Sequence, residues 1–183
     1  MKYSLTEYLN EEIPILKGKN GIRRILALIK ARAFNPSYDA LFMLRFCYVN
    51  HERKGFWKFL RILYKLKLVK KYGIYFNVRS DSNIGLGLVL PHPSSIVFGA
   101  GVNIGDHCII YQNVTFGAKK IGCAGSEISA YPRIGNHCTF YAGAVVIGPV
   151  TVRDGTQVGA NAVLLSDTDE NGMYAGVPAI RKK

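Results

Sequence analysis

The chain has 183 residues, 49% of them hydrophobic and 20% charged, which suits one compact unit with a sizeable core and argues against disorder. No run of about 18 apolar residues occurs, and the start Met1-Lys2-Tyr3-Ser4-Leu5-Thr6-Glu7 lacks the apolar stretch of a signal peptide, so neither a membrane-spanning nor an exported protein is expected. The net charge of +12 is lopsided: residues 1–73 hold 16 Lys and Arg against 5 Asp and Glu, while residues 74–183 hold 8 against 7, so an acidic partner is expected to meet the N-terminal part.

Residues 1–73 read as a basic helical segment. One helix is expected from Gly21 to Ala33, and Asn35-Pro36-Ser37 then stops it and caps a second from Ser37 to Asn50. A third runs from about Gly55 to Lys71. Lys54, Lys58, Arg61 and Lys65 fall on one of its faces, and Phe56, Trp57, Phe59, Leu60, Ile62, Leu63, Tyr64 and Leu66 cover the rest. Two readings stay open for it: a helix packing its apolar face on the rest of the fold, or an interfacial helix over 54–71 whose aromatics enter lipid while its cations meet anionic headgroups. No nucleic-acid motif accompanies these charges, and no nucleic-acid partner is expected.

From Val102 to Leu164 a six-residue phrase recurs, plainest in Ile104-Gly105-Asp106-His107-Cys108-Ile109 and Ile134-Gly135-Asn136-His137-Cys138-Thr139. Aliphatic or aromatic residues return at Ile134, Phe140, Val146, Val152, Val158 and Leu164, with small or apolar ones four places on at Cys138, Ala144, Val150, Thr156 and Ala162. This period fits neither a helix nor a strand of strict alternation. It suits a chain that turns a corner every six residues, a mainly β, three-sided solenoid of parallel sheets over 74–168. Coils are expected from about Tyr75, and the pattern slips twice. Ile84 to Ile104 is 20 residues, two more than three repeats, with the surplus inside Leu90 to Gly99. Gly122 then stands where an aliphatic is due, which marks a loop extruded near 117–133. Residues 169–183 read as a tail. Interruptions of a solenoid are where binding surfaces tend to sit.

Cys108 and Cys138 share an inward slot of the repeat, and Cys47 and Cys123 show no metal-ligand spacing, so free thiols packed as small hydrophobes in a reducing cytoplasm are expected, and no metal. His107 and His137 fall at matching corners and read as exposed corner residues. His92 differs, lying inside the first slip between two prolines.

The segment Leu90-Pro91-His92-Pro93-Ser94-Ser95-Ile96-Val97-Phe98-Gly99, followed by Asn113-Val114-Thr115-Phe116-Gly117 and Ala175-Gly176-Val177-Pro178-Ala179, resembles the serine acetyltransferase branch of the hexapeptide-repeat acyltransferases. The resemblance implies a left-handed parallel β-helix with a short helical N-terminal segment, a homotrimer, acetyl-CoA as cosubstrate and His92 as catalytic base, with Asn77 at the position that orients it. An alcohol attacks a thioester poorly, so a base titrating near neutrality must take its proton as the bond forms. The resemblance also points to Gly117, Ala142 and Gly143 for the pantetheine arm and to Arg181, Lys182 and Lys183 for the CoA phosphates. Pro91 and Ala130-Tyr131 stand where that branch carries charged residues for an amino acid, and its long helical N-terminal domain is expected to be missing. A sugar hydroxyl of a surface polysaccharide or its lipid-linked precursor is therefore the expected acceptor, with Tyr131 either stacking on the sugar ring or packing the loop, and the enzyme at the inner face of the membrane. L-Serine is the alternative, a non-catalytic scaffold a further one, and a three-histidine metal site the least favoured.

Overall fold

A computed structural model describes residues 3–76, 83–119 and 130–182. Ser4 opens helix α1 (Leu5–Glu12): its hydroxyl accepts from the Glu7 N–H at 3.3 Å, and the Glu7 carboxylate accepts from the Ser4 N–H at 2.7 Å. This reciprocal cap is written in the sequence as Ser-x-x-Glu, although the expected helices begin only at Gly21. α2 (Gly21–Phe34), α3 (Pro36–Val49) and α4 (Phe56–Tyr72) match the three expected helices closely. Asn35 Oδ1 accepts from the N–H groups of Ser37 and Tyr38 at 2.9 and 3.4 Å, and Pro36 occupies the first turn, where no N–H is needed. α3 is the hub, buried without a break from Asp39 to Tyr48 and packed against α1, α2 and α4.

The solenoid has three faces. The first carries β2 (Asn83–Ile84), β4 (Asn103–Ile104), β7 (Arg133–Ile134) and β10 (Thr151–Val152). The second carries β5 (Ile109–Ile110), β8 (Thr139–Phe140), β11 (Gln157–Val158), β13 (Met173–Ala175) and β14 (Ile180–Lys182). The third carries β1 (Tyr75–Phe76), β3 (Val97–Phe98), β6 (Thr115–Gly117), β9 (Val145–Ile147) and β12 (Val163–Leu164). Pairing is parallel except between β13 and β14, and equivalent repeat residues sit in register, as in Ile84, Ile104, Ile134 and Val152. Within the expected tail, β13 extends the second face and β14 folds back on it.

The repeated aliphatics fill the prism as the period requires. Phe76, Phe98 and Phe116 form a column with ring centroids 5.9 and 6.0 Å apart, and Phe140 meets Phe116 edge-on at 4.9 Å. Burying each such ring contributes about 1.5–3 kcal/mol. Cys47, Cys108 and Cys138 are free and buried, while Cys123 lies outside the described residues. Burial pushes the Cys47 thiol up to about 12, and a hydrogen bond with Cys138 together with burial raises Cys108, so neither is a ready nucleophile.

The helices close the first coil. Arg45 is fully buried and its Nε donates to both Glu12 carboxylate oxygens at 3.0 Å, with a further bond from Nη2 to Glu12. The same guanidinium donates to the carbonyls of Ile84 and Gly85 at 2.9 and 2.5 Å and lies 4.0 Å from the Tyr8 ring centroid. The Leu88 N–H donates to Glu12 at 3.1 Å. A solenoid's terminal coil has no further coil to bond its backbone, and Arg45 and Glu12 supply those partners.

α4 packs on α3, through Phe42, Phe46 and Tyr64, rather than laying its apolar face on the solenoid. Beside it, Asp39 accepts from Arg32 Nε and Lys71 Nζ, each at 2.9 Å, and from the Tyr72 hydroxyl at 3.1 Å. Burial pushes the Asp39 carboxyl up, but the bonds from Lys71, Arg32 and Tyr72 outweigh it and hold the group below its ordinary 3.8. A depressed folded value contributes stability above the unfolded value and loses it as pH falls through the folded one. Asp39→Asn is therefore expected to lower the melting temperature at neutral pH, with the gap to wild type closing below about pH 3.8 in a pH series of thermal melts.

Candidate active site at one corner of the prism

The first slip lies at the corner between the second and third faces. Val89, bridged to Ile109, and Val97, paired with Thr115, are eight residues apart where the next coil takes six, and the two extra residues are spent around His92. Its carbonyl accepts from the Ser94 N–H at 2.8 Å, which folds the segment tightly. The imidazole is exposed at the end of a column of rings: Tyr111 lies 6.1 Å from it and Tyr141 5.6 Å further along the same corner. Pro91 is half-buried and Pro93 buried on either side. The start of α3 fixes the segment from below, the Ser37 hydroxyl donating to the Leu90 carbonyl at 2.6 Å, with the Pro91 carbonyl at 3.2 Å.

Left-handed backbone repeats along this corner at Ser95, Asn113, Gly143 and Asn161, with φ of 53°, 61°, 74° and 55°. Each turn is tied to the coil before it: Asn113 N–H to Ser94, Gly143 N–H to Gln112 and Asn161 N–H to Ala142, all at 2.9 Å. Gly143 takes the corner conformation that Asn adopts at 113 and 161, and a Cβ there would press on the Asn161 side chain, 2.2 Å from its Oδ1. Its N–H is also already donated, which removes the backbone bond to pantetheine expected of it. The N–H groups of Gln112, Ala142 and Ala160 have no such acceptor among the described residues and are the amides this corner leaves for a ligand.

Successive coils stand about 4.7–4.9 Å apart. From His92 the corner therefore runs past Ala142 toward β14, where Arg181 and Lys182 are exposed and Arg181 pairs with Asp169 at 3.1 Å. A long ligand lying along this edge would meet the imidazole at one end and cations at the other. Asn77 and Lys183 lie outside the described residues.

Two expected residues lie elsewhere. Gly117 and Tyr131 belong to the corner between the third and first faces, across the third face from His92. Tyr131 is buried: its ring covers Gly99 and Gly101, where a Cβ would come within 2.7 and 2.5 Å of it. Of the two roles expected for it, Tyr131 takes the packing one, against backbone that only glycine lets approach. His107 and His137 occupy the remaining corner, exposed as expected and stacked with centroids 5.2 Å apart, well separated from His92. The sequence reading missed Gln112, whose buried Oε1 at the His92 corner has no donor among the described residues. It also missed Ser37, whose placement under His92 depends on a contact 53 residues away in the chain.

No family model matches the chain. It is 30% identical to the serine acetyltransferase of Helicobacter pylori (strain J99 / ATCC 700824) over 98% of its own length and 94% of that protein's. The solved serine acetyltransferase of Neisseria gonorrhoeae superposes with a TM-score of 0.74 at 18% identity over 98% of this chain, which spans 65% of that one. In complex with serine the same enzyme gives 0.73 at 19% identity, covering 98% of this chain and 69% of that one. A serine acetyltransferase in complex with CoA gives 0.62 at 18% identity, covering 97% and 83%. These likenesses show the fold, a left-handed parallel β-helix with N-terminal helices. The alignments run through the helical N-terminal part as well as the β-helix, over 98% of this chain. With an end-to-end relative at that identity, a β-helix of hexapeptide coils and a histidine exposed at its interrupted corner, the chain belongs to the serine acetyltransferase family and is an acetyl-CoA-dependent acyltransferase.

Proposed function

We propose that the protein transfers acetyl from acetyl-CoA to the side-chain hydroxyl of L-serine, with His92 as general base. The observation that carries the acceptor is the relationship to a serine acetyltransferase along nearly the whole chain, helical segment included. It puts L-serine ahead of the glycan acceptor. In the reaction the hydroxyl proton passes to the His92 imidazole as the C–O bond forms at the thioester carbon. The tetrahedral oxyanion then collapses, the C–S bond breaks, and the imidazolium returns the proton to the departing CoA sulfur. In this reading transfer is direct, which agrees with the burial of every cysteine among the described residues, Cys47, Cys108 and Cys138.

In this reading Asn77 orients the His92 ring, the Ala142 N–H holds the pantetheine arm, and Arg181, Lys182 and Lys183 meet the CoA phosphates, Arg181 exchanging Asp169 for phosphate. Gly117 and Tyr131 stand at a different corner from His92. A homotrimer is the assembly that the family resemblance implies.

One observation favours a second reading, transfer to a sugar hydroxyl. Along the His92 corner, 91–95, 111–113, 141–143 and 159–161 contain no charged side chain, so an amino acid's ammonium and carboxylate must find partners elsewhere. Release of CoA thiol from acetyl-CoA that depends on added L-serine is the expected result. No release with L-serine, but release with a glycan or lipid-linked oligosaccharide fraction, would move the acceptor to the sugar.

A further inference from the structure

We propose that α2 and α4 together form a docking surface for an anionic lipid bilayer. The proposal rests on these two helices alone and holds whichever hydroxyl is acetylated. In α2, Ile22, Ile25, Leu26 and Ile29 recur at helical spacing, and all four are 58–75% exposed. Only Ala31 of that helix is fully buried. In α4, Leu60, Tyr64, Leu68 and Tyr72 turn inward, while Phe59, Ile62, Leu63 and Leu66 face outward, each at least 40% exposed. Contiguous apolar surface of this extent is uncommon on a soluble chain unless something covers it.

The charges identify the cover. α2 and α4 contain ten Lys and Arg and no Asp or Glu. Arg32 and Lys71 are paired with Asp39, whereas Arg23, Lys30, Lys58, Lys67 and Lys70 are exposed beside the apolar stripes. Both helices flank one groove of about 660 Å³, walled by Ile29, Arg32, Lys67 and Lys70 and floored by Met43 and Asp39 of α3, so the two helices border a common opening lined by cations. Apolar side chains at the level of the acyl boundary, ringed by cations at the level of the headgroups, are what a helix pair lying in a bilayer interface requires. A second copy of the chain fits worse, because its α2 and α4 would bring ten more cations against these with no carboxylate between them. Among the described residues no helix is long and apolar enough to cross a membrane, so the attachment is peripheral.

The test is co-sedimentation of the full chain with phosphatidylcholine vesicles with and without phosphatidylglycerol. Binding to the phosphatidylglycerol vesicles, absent with phosphatidylcholine alone and weakened by salt, is expected. The paired replacements Ile25→Glu with Leu63→Glu, and Lys58→Glu with Lys67→Glu, should each weaken it by about tenfold or more while transfer to a soluble acceptor stays unchanged. All four side chains are exposed, so the variants should fold. Failure to bind the anionic vesicles, or equal binding by the variants, overturns the proposal. So does a lipid-independent rise in particle mass with protein concentration that Ile25→Glu with Leu63→Glu abolishes, which would make a second copy the occupant.

Discussion

Arg45→Ala is expected to destabilise the fold by about 3–5 kcal/mol, the cost of leaving a buried charge without its partner. For a chain of this length that corresponds to a fall in melting temperature of roughly 6–20 °C by calorimetry. The size follows from what the guanidinium holds together. Its removal strands the Glu12 carboxylate, which is 6% exposed, takes the donor from the Gly85 carbonyl and leaves the Ile84 carbonyl only the 3.4 Å bond from the Tyr8 hydroxyl at the solenoid's first coil. Replacing both partners by apolar residues, Glu12→Leu with Arg45→Met, should recover part of the loss, because no orphaned charge then remains. A double variant no more stable than Arg45→Ala would show that the carbonyl caps, not the ion pair, carry the effect.

His92→Ala separates stability from chemistry. The side chain is exposed and fills no part of the core, so the melting temperature should match wild type. The turnover rate should fall by about 10²–10⁴-fold, the usual worth of a positioned general base, with acetyl-CoA binding retained. A variant that keeps wild-type turnover would exclude the imidazole from the reaction. A variant that loses acetyl-CoA binding would make His92 a cosubstrate contact.

Much of the β-helix is legible in the chain because its period is covalent. Every sixth residue must return to the same face, so Ile104, Ile134 and Val152 announce a column before any coordinates do. The slip at His92 is legible for the same reason, as two residues too many. What the period does not contain is which corner each break occupies. His92 and Tyr131 both lie in interruptions, yet the coil count sends them to opposite edges of the third face, and only the folded prism separates them. The choice between the two roles open to Tyr131 depends on Gly99 and Gly101, whose missing side chains make room for the ring. Arg45 reads in sequence as one more cation of a basic segment, and its burial follows from contacts to Glu12, 33 residues back, and Ile84, 39 residues on. The helical pattern of α4 showed an apolar face without saying what would cover it, and α3 covers only part.

On the proposed function, His92 drives acetyl transfer to L-serine. This is tested most directly by supplying labelled acetyl-CoA together with L-serine and a glycan and lipid-linked oligosaccharide extract, then identifying the labelled product by mass spectrometry for wild type and His92→Ala. Label in O-acetylserine, lost in the variant and never retained on the protein, is the predicted result. Label in the glycan fraction, or on the protein itself, would contradict the acceptor or the direct mechanism respectively.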